Sequence, residues 1–342
     1  MADNTPQRQD EARPSGAGER WRAYQRLVFG RPGSVRRPVV FLIIAVIVAS
    51  IVSPAFHTVA NFSALLTSSS FLVVVAAGEA FVIMVGGIDL GVESVLAASG
   101  MLAAWLYVFQ RVPTALAMLI TIAFGIGVGC LVGLMVSRVR IPSFIVTLGS
   151  YWGFRGVALL FNQGNYINPY AVTPPRQLDF LGIAGNVAGF PVLIIIMVVV
   201  VGLGQVVLSY TPLGIRIKGT GSNEEASRAV GLKTSQIKIL VFAISAGLAA
   251  LSGMMITAWQ DSIYPLTGQG YSLQAIAGVI LGGIPFSGGR GSIVGAALGA
   301  LVIGVINDLI VLVGLPAQYE YIFVAVVLVL AGLQARGGNV VK

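Results

Sequence analysis

Ten apolar runs joined by mostly short connections dominate this sequence: 39–56, 63–86, 92–109, 113–136, 143–161, 191–210, 239–258, 271–284, 291–314 and 319–334. Most approach the roughly 20 residues that a helix needs to cross a hydrocarbon layer; the run 271–284 is clearly short. Lipid offers no water to bare peptide groups, so a spanning segment must satisfy them within a helix or a closed barrel. Barrel strands alternate apolar and polar residues, and these runs do not. The expected fold class is therefore an all-α polytopic membrane protein of about ten transmembrane helices. Composition agrees, since 10% of the residues are charged against roughly 25% in soluble domains.

Charge sets the expected orientation. Residues 1–38 hold eight arginines against four acids, and 211–238 hold five basic residues against two acids. The start, MADNTPQRQDEARPSGAGER, reads as a disordered basic cytoplasmic tail over 1–38. It is too long and too acidic for a signal-peptide n-region, and no convincing cleavage site follows the first run, which is expected to be retained. With that tail inside and every run crossing, the inner loops collect Arg138, Arg140, the 211–238 stretch and Arg290, then Arg336 and Lys342 in a C-terminal tail over 335–342. Outer loops receive Arg111 and the Arg155/Arg176 region. Basic residues thus gather on the cytoplasmic side of a membrane domain spanning 39–334, with both termini inside. The net charge of +8 follows from this topology, and no nucleic-acid partner is expected.

Several chemistries are absent from the sequence. Cys130 and His57 are each the sole residue of their kind, which leaves no disulfide pair and no zinc set. There is no G-x-x-x-x-G-K-[ST] loop to hold ATP phosphates, no nucleophile elbow and no paired-carboxylate site. No catalytic residue, metal or cofactor is expected on this chain.

Glycine is frequent inside the runs. Gly125, Gly129 and Gly133 recur every four residues, as do Gly291, Gly295 and Gly299, the spacing of small faces that let membrane helices approach closely. Gly125-x-Gly127-x-Gly129 falls inside a membrane helix and is not read as a nucleotide loop. Glu79 lies within the second run, while Asp89 and Glu93 flank the break after it. A charge at mid-bilayer costs roughly 2.5–3.5 kcal/mol, so such groups face the bundle interior or water. Glu79 reads equally as pathway lining or as a buried structural group. Asp89, just after Gly86-Gly87, favours a tight break in which its carboxylate accepts freed backbone N–H groups. Gly282-Gly283-Ile284 echoes Gly86-Gly87-Ile88, and broken helices are expected at both places. Asn307 and Asp308 read as helix-contact groups. Trp105, Tyr151, Trp152, Trp259 and Tyr271 have the chemistry of sugar-stacking faces, although an interfacial aromatic belt places most of them equally well.

The connection 211–238 contains Gly219-Thr220-Gly221-Ser222-Asn223-Glu224-Glu225-Ala226-Ser227-Arg228-Ala229-Val230-Gly231. Ser222 or Asn223 suits the N-cap of a short helix whose first turn carries Glu224 and Glu225 at the positive end of its dipole. Gly231 suits its stop. Such a helix between two membrane helices is either a lever for a partner or a solvated loop helix.

Glu225-Ala226-Ser227-x-x-x-Gly231 resembles the EAA---G coupling segment of ATP-binding-cassette importer permeases, without the Leu-Pro that often closes it. The longer string GTGSNEEASRAVGL resembles the form found in ribose-type sugar permeases. Gly86-Gly87-Ile88-Asp89-Leu90 is similar to that family's GGIDLSVGS signature, and Gly282-Gly283-Ile284 with Ser287-Gly288-Gly289-Arg290-Gly291-Ser292 to its second glycine signature. Ile141-Pro142-Ser143-Phe144-Ile145-Val146-Thr147-Leu148, with Arg155-Gly156, resembles its P-x-F-I-x-T-L…RG stretch. These matches run in order over roughly 39–334. Two departures stand out: Gly91 replaces a usual Ser, and Glu93 replaces a usual Gly, altering substrate preference or facing a water-filled vestibule.

The resemblance implies a multi-pass permease of a bacterial inner membrane, importing a monosaccharide and pairing with a second copy or a paralogue as a dimer. It implies a cytoplasmic ATPase partner, on which ATP and Mg would sit, and a periplasmic or lipid-anchored sugar-binding protein. Coupling to the ATPase would run through Gly219, Gly221, Asn223, Glu224, Glu225, Ala226, Arg228 and Gly231. Pathway or helix-break candidates are Glu79, Gly86, Gly87, Asp89, Glu93, Gly282 and Gly283. A related permease for branched-chain amino acids or nucleosides remains open, as does an ion-coupled secondary transporter.

Overall fold

The computed structural model describes residues 35–168, 183–316 and 318–336. The tail expected over 1–38 lies outside them up to residue 34, as do Arg176 and the terminal stretch from 337. Each apolar run coincides with one helix: α1 (Arg36–Val52), α2 (Val59–Met84), α3 (Val92–Val108), α4 (Thr114–Leu134), α5 (Ser143–Leu160), α6 (Val192–Tyr210), α9 (Thr234–Gln260), α10 (Tyr271–Leu281), α11 (Ile293–Leu312) and α12 (Tyr319–Arg336). Between α6 and α9 stand two short helices, α7 (Pro212–Ser222) and α8 (Glu224–Ala229). A two-residue hairpin, β1 (Asn186–Val187) with β2 (Phe190–Pro191), precedes α6. Among the described residues, five helices are long and apolar enough to cross a membrane, and Val92–Val108, Tyr271–Leu281 and Tyr319–Val329 are shorter apolar helices. The chain is a helical membrane protein.

Helix α2 is the central post. From Ser69 to Met84 every residue is buried, the pattern of a helix apolar all round with neighbours on every side. It packs on α9, α11, α10 and α6. Peripheral helices leave apolar side chains uncovered instead, among them Ile43, Ile44 and Ile47 on α1 and Val198 and Leu203 on α6. In a bilayer these meet acyl chains.

The tightest pairing is α4 against α9, and the glycine spacing explains it. A β-carbon at Gly125 would stand 2.6 Å from Ala250 Cβ, one at Gly133 2.6 Å from Ile239 Cα, and one at Gly129 would overlap the Phe242 carbonyl oxygen. Gly127, between them, meets nothing within 4 Å. One face of α4 is thus shaved to backbone over two turns, and dispersion contacts replace the hydrophobic drive that lipid does not supply. Gly295 and Gly299 do the same on α11, lying against Gly282 and Gly278.

The stretch 211–238 differs from the expected loop with one short helix. Thr211 and Pro212 start α7 at once, Gly219 and Gly221 lie inside it, and residues 234–238 already belong to α9. Proline at the first helical position is preorganised for this start.

Gly129→Leu is expected to destabilise the protein by about 3 kcal/mol or more, at the upper end of overpacking costs, whereas Gly127→Leu leaves it nearly unchanged. Thermal unfolding of both variants in detergent checks the difference.

Candidate functional site

Where α2 ends, the chain crosses 85–91 without regular structure, and the backbone accounting is unusually full. Val85 and Gly87 N–H groups donate to the Val82 carbonyl, and Gly86 donates to Ile83. Ile88 N–H donates to Ser143 Oγ (3.3 Å), Asp89 N–H to Glu79 Oε1 (3.1 Å) and Gly91 N–H to Asp89 Oδ1 (2.9 Å). The Ile88 carbonyl accepts from Thr147 Oγ1 (3.2 Å) and the Leu90 carbonyl from Ser272 Oγ (2.9 Å). Gly86 adopts φ +79°, a left-handed turn that a β-carbon would strain. Helix α2 is therefore broken at Gly86-Gly87, and Glu79 and Asp89 bond the freed N–H groups. Glu79 is wholly buried, and its second oxygen, Oε2, has no hydrogen-bond partner.

Glu93 lies neither in a vestibule nor against open solvent. It is 3% exposed, and its Oε1 receives Arg155 Nη2 at 3.1 Å. Its Oε2 accepts the N–H groups of Gly270 (2.9 Å) and Ser272 (3.1 Å), the first turn of α10. Arg155, placed with an outer region by its position in the sequence, is instead inside α5 and 5% exposed. Its Nη1 donates to the Pro265 carbonyl at 2.7 Å. One ion pair thus ties α3, α5 and the irregular segment 261–270 to the start of α10. That segment is tucked into the protein: Ile263 bridges to Ile167 and is 1% exposed.

The second glycine signature forms the break between α10 and α11 and closes on the first. Gly289 N–H donates to the Met84 carbonyl, 2.9 Å away. A β-carbon at Gly288 would lie 2.8 Å from the same oxygen and 3.0 Å from the Gly86 nitrogen. One at Gly221 would overlap Met84 O and stand 2.7 Å from the Gly289 nitrogen. The C-terminus of α7 therefore presses on both breaks at a single point. Gly282 lies against Gly295, and Gly283 turns with φ +90°. The start of α11 is capped from α6, with Gln205 Oε1 accepting Ile293 N–H (2.9 Å), Val294 N–H (3.2 Å) and Ser292 Oγ (3.1 Å).

From this junction the chain runs directly into α8. Asn223 caps it, accepting the Ala226 N–H at 2.9 Å, and Gly231 ends it with φ +85°. Glu224 binds Arg228 (2.6 Å) and, across to α9, Lys238 (2.7 Å). Partial burial opposes the Glu224 charge, but the Lys238 and Arg228 cations outweigh it and hold the carboxyl below its usual range. A depressed carboxylate stabilises the folded protein above the ordinary glutamate range, and this contribution is lost as pH falls through the lowered value. Glu225, Ala226 and Val230 stay exposed, so α8 offers its outer side to solvent.

The remaining candidates separate from this site. Asp308 accepts from Asn61 Nδ2 at 2.9 Å, and Asn307 Nδ2 donates to Gln274 Oε1 at 3.4 Å; both are helix-to-helix contacts. Gln274 also donates to Glu320. Trp152 is 69% exposed, Trp259 packs at a tilt against Phe71 and Trp105 likewise against Phe161. Sequence reasoning missed the pairing of Arg155 with Glu93, and missed Gln205. An arginine within an apolar run demands a carboxylate partner, a signal that calls for a pair without naming which of Glu79, Asp89 and Glu93 supplies it.

Arg155→Met strands a buried carboxylate and is expected to cost about 3–5 kcal/mol. The double variant Glu93→Gln/Arg155→Met should lose clearly less than the sum of the two single changes. A double-mutant cycle of thermal unfolding in detergent measures the coupling.

Residues 61–332 match the family described as "Branched-chain amino acid transport system / permease component". The chain is 35% identical over 298 residues to the ribose import permease protein RbsC of Escherichia coli (strain K12), covering 87% of this chain and 92% of that one. It is 36% identical over 299 residues to RbsC of Bacillus subtilis (strain 168), with the same coverage. It is 32% identical over 286 residues to the D-allose transport system permease protein AlsC of Escherichia coli (strain K12), covering 82% and 86%. No solved structure matches the chain significantly. A match of this extent places the chain in the branched-chain amino acid transport system permease family.

Proposed function

We propose that this chain is the membrane-spanning permease subunit of an ATP-binding-cassette importer for a monosaccharide, in a bacterial inner membrane. The similarity to ribose and D-allose permeases over most of the chain supports the cargo class. About ten helices cross the bilayer, and both termini lie in the cytosol. The partners are a cytoplasmic ATPase holding ATP and Mg, a periplasmic or lipid-anchored sugar-binding protein, and a second permease copy or paralogue completing a dimer.

One observation carries the mechanism: the end of α7, which runs straight on into α8, meets both helix breaks at Gly221, Met84 and Gly289. The ATPase grips the exposed side of α8 through Glu225, Ala226 and Val230. Its motion passes through Asn223 and Ser222, whose Oγ donates to the Lys218 carbonyl at 2.8 Å, into α7. Gly221 then pushes on the Met84 carbonyl. Displacement there shifts 85–91, whose ties to Ser143, Thr147 and Ser272 carry it to α5 and α10. Glu79, Asp89 and Glu93 act in this scheme as clasps on broken helices, not as ligands for sugar hydroxyls. An importer fed by a binding protein needs no tight sugar site in its pore.

The test is reconstitution of the chain in liposomes with its cognate ATPase and binding protein, and a screen of monosaccharides for stimulated ATP hydrolysis. Glu225→Lys and Gly231→Asp are expected to reduce stimulation about tenfold or more while leaving membrane insertion intact. Transport surviving both changes would show that α8 is not the lever. Stimulation by leucine and by no sugar would move the cargo to the branched-chain amino acids. Uphill uptake by the chain alone under an ion gradient would make it a secondary transporter.

A further inference from the structure

A cavity of about 320 Å³ lies between α8, the first helix break and the corner where α4 turns into α5. Its wall includes Arg140, Arg228, Lys238, Glu224, Ser137 and Phe242. Three cations thus face one carboxylate. Glu224 is already shared by Arg228 and Lys238, and Arg140 has no ion-pair partner among the described residues. Arg140 sits just past the π-helical turn Met135–Val139, with φ 64°. Two further features favour an anion. Helix α5 starts at this wall with Pro142 as its N-cap and no side-chain cap, so its positive end is uncompensated. Ser137, 6% exposed, has a hydroxyl with no hydrogen-bond partner.

We propose that this cavity binds a phosphate-bearing anion, held by Arg140, Arg228, Lys238 and the start of α5. Guanidinium groups and a helix N-terminus are the donors that suit phosphate oxygens, and Phe242 and Val85 give an apolar wall for whatever carries the phosphate. The volume admits a phosphorylated pentose or hexose, but the headgroup of an anionic phospholipid has the same chemistry. A ligand bridging Arg140 to Arg228 ties α8 to the α4–α5 corner and so restrains the lever. That the ligand comes from the cytosol, and that α8 is a lever, rest on the function proposed above. The binding itself does not, and it is measured without the ATPase so that the two fail separately.

The experiment titrates the purified full chain in a neutral detergent with inorganic phosphate and with D-ribose 5-phosphate by calorimetry, and D-ribose serves as the uncharged comparator. A parallel arm measures retention of phosphatidylglycerol by native mass spectrometry. Saturable binding of a phosphate probe that D-ribose does not displace is expected, weakening as NaCl rises from about 0.05 to 0.5 M. Arg140→Asn, a residue that tolerates the left-handed backbone, should weaken it about tenfold or more. Arg140→Lys should retain most of it. Arg138→Asn makes the same charge change outside the cavity wall and should leave affinity within about twofold. Arg140-dependent retention of phosphatidylglycerol alone would support the proposal with the lipid as source. Absence of saturable binding in both arms overturns it, as does equal loss in Arg138→Asn. The proposal also fails if neither phosphate source binds and Arg140→Asn instead weakens assembly with the ATPase, which would make the cavity a socket for an acidic side chain of that partner.

Discussion

Satisfying peptide groups away from water is the constraint on which this architecture rests. A continuous helix meets it automatically; a helix broken inside a membrane protein does not, because each interruption frees donors and acceptors that cost several kcal/mol if left bare. Among the described residues there are two such interruptions, after Met84 and after Leu281, and both are closed by named partners. Glu79, Asp89, Ser143, Thr147 and Ser272 serve the first. Gln205, Ser292 and the Met84 carbonyl serve the second. Polar side chains that look like a transport pathway in an apolar sequence are, in the structure, bonded mainly to backbone.

Helix positions were legible because lipid imposes length and apolarity on every crossing, and each run found its helix to within a few residues. The glycine faces were legible for the same kind of reason: a four-residue repeat in an apolar segment has few uses besides close packing. Asn223 and Gly231 could be placed because capping is local, resting on residues within one turn. What escaped was long range. Glu93 and Arg155 are 62 residues apart, and nothing in the pattern of either segment names the other. Gln205 reaches a helix start 88 residues on, and Gly221 meets Met84 only once α7 has been swung under α2. Such pairings depend on tertiary arrangement, which periodicity does not carry.

Two kinds of joint hold the structure, and they have different mechanical character. The seam between α4 and α9 brings backbone against backbone at Gly129 and Gly133; interiors packed at that density transmit displacement and do not absorb it. The breaks are held by single hydrogen bonds and one ion pair, each net worth about 1–3 kcal/mol, and can exchange partners. The break at 85–91 is therefore the softer of the two joints.

The α4–α9 seam also bears on how the chain is made. About 100 residues separate Gly133 from Ile239, which is on the order of 5–20 s of ribosomal elongation. Throughout that interval the notched flank of α4 lacks the helix that later fills it. Completion of the bundle thus waits on a late-arriving hydrophobic segment that fits a groove already shaped for it.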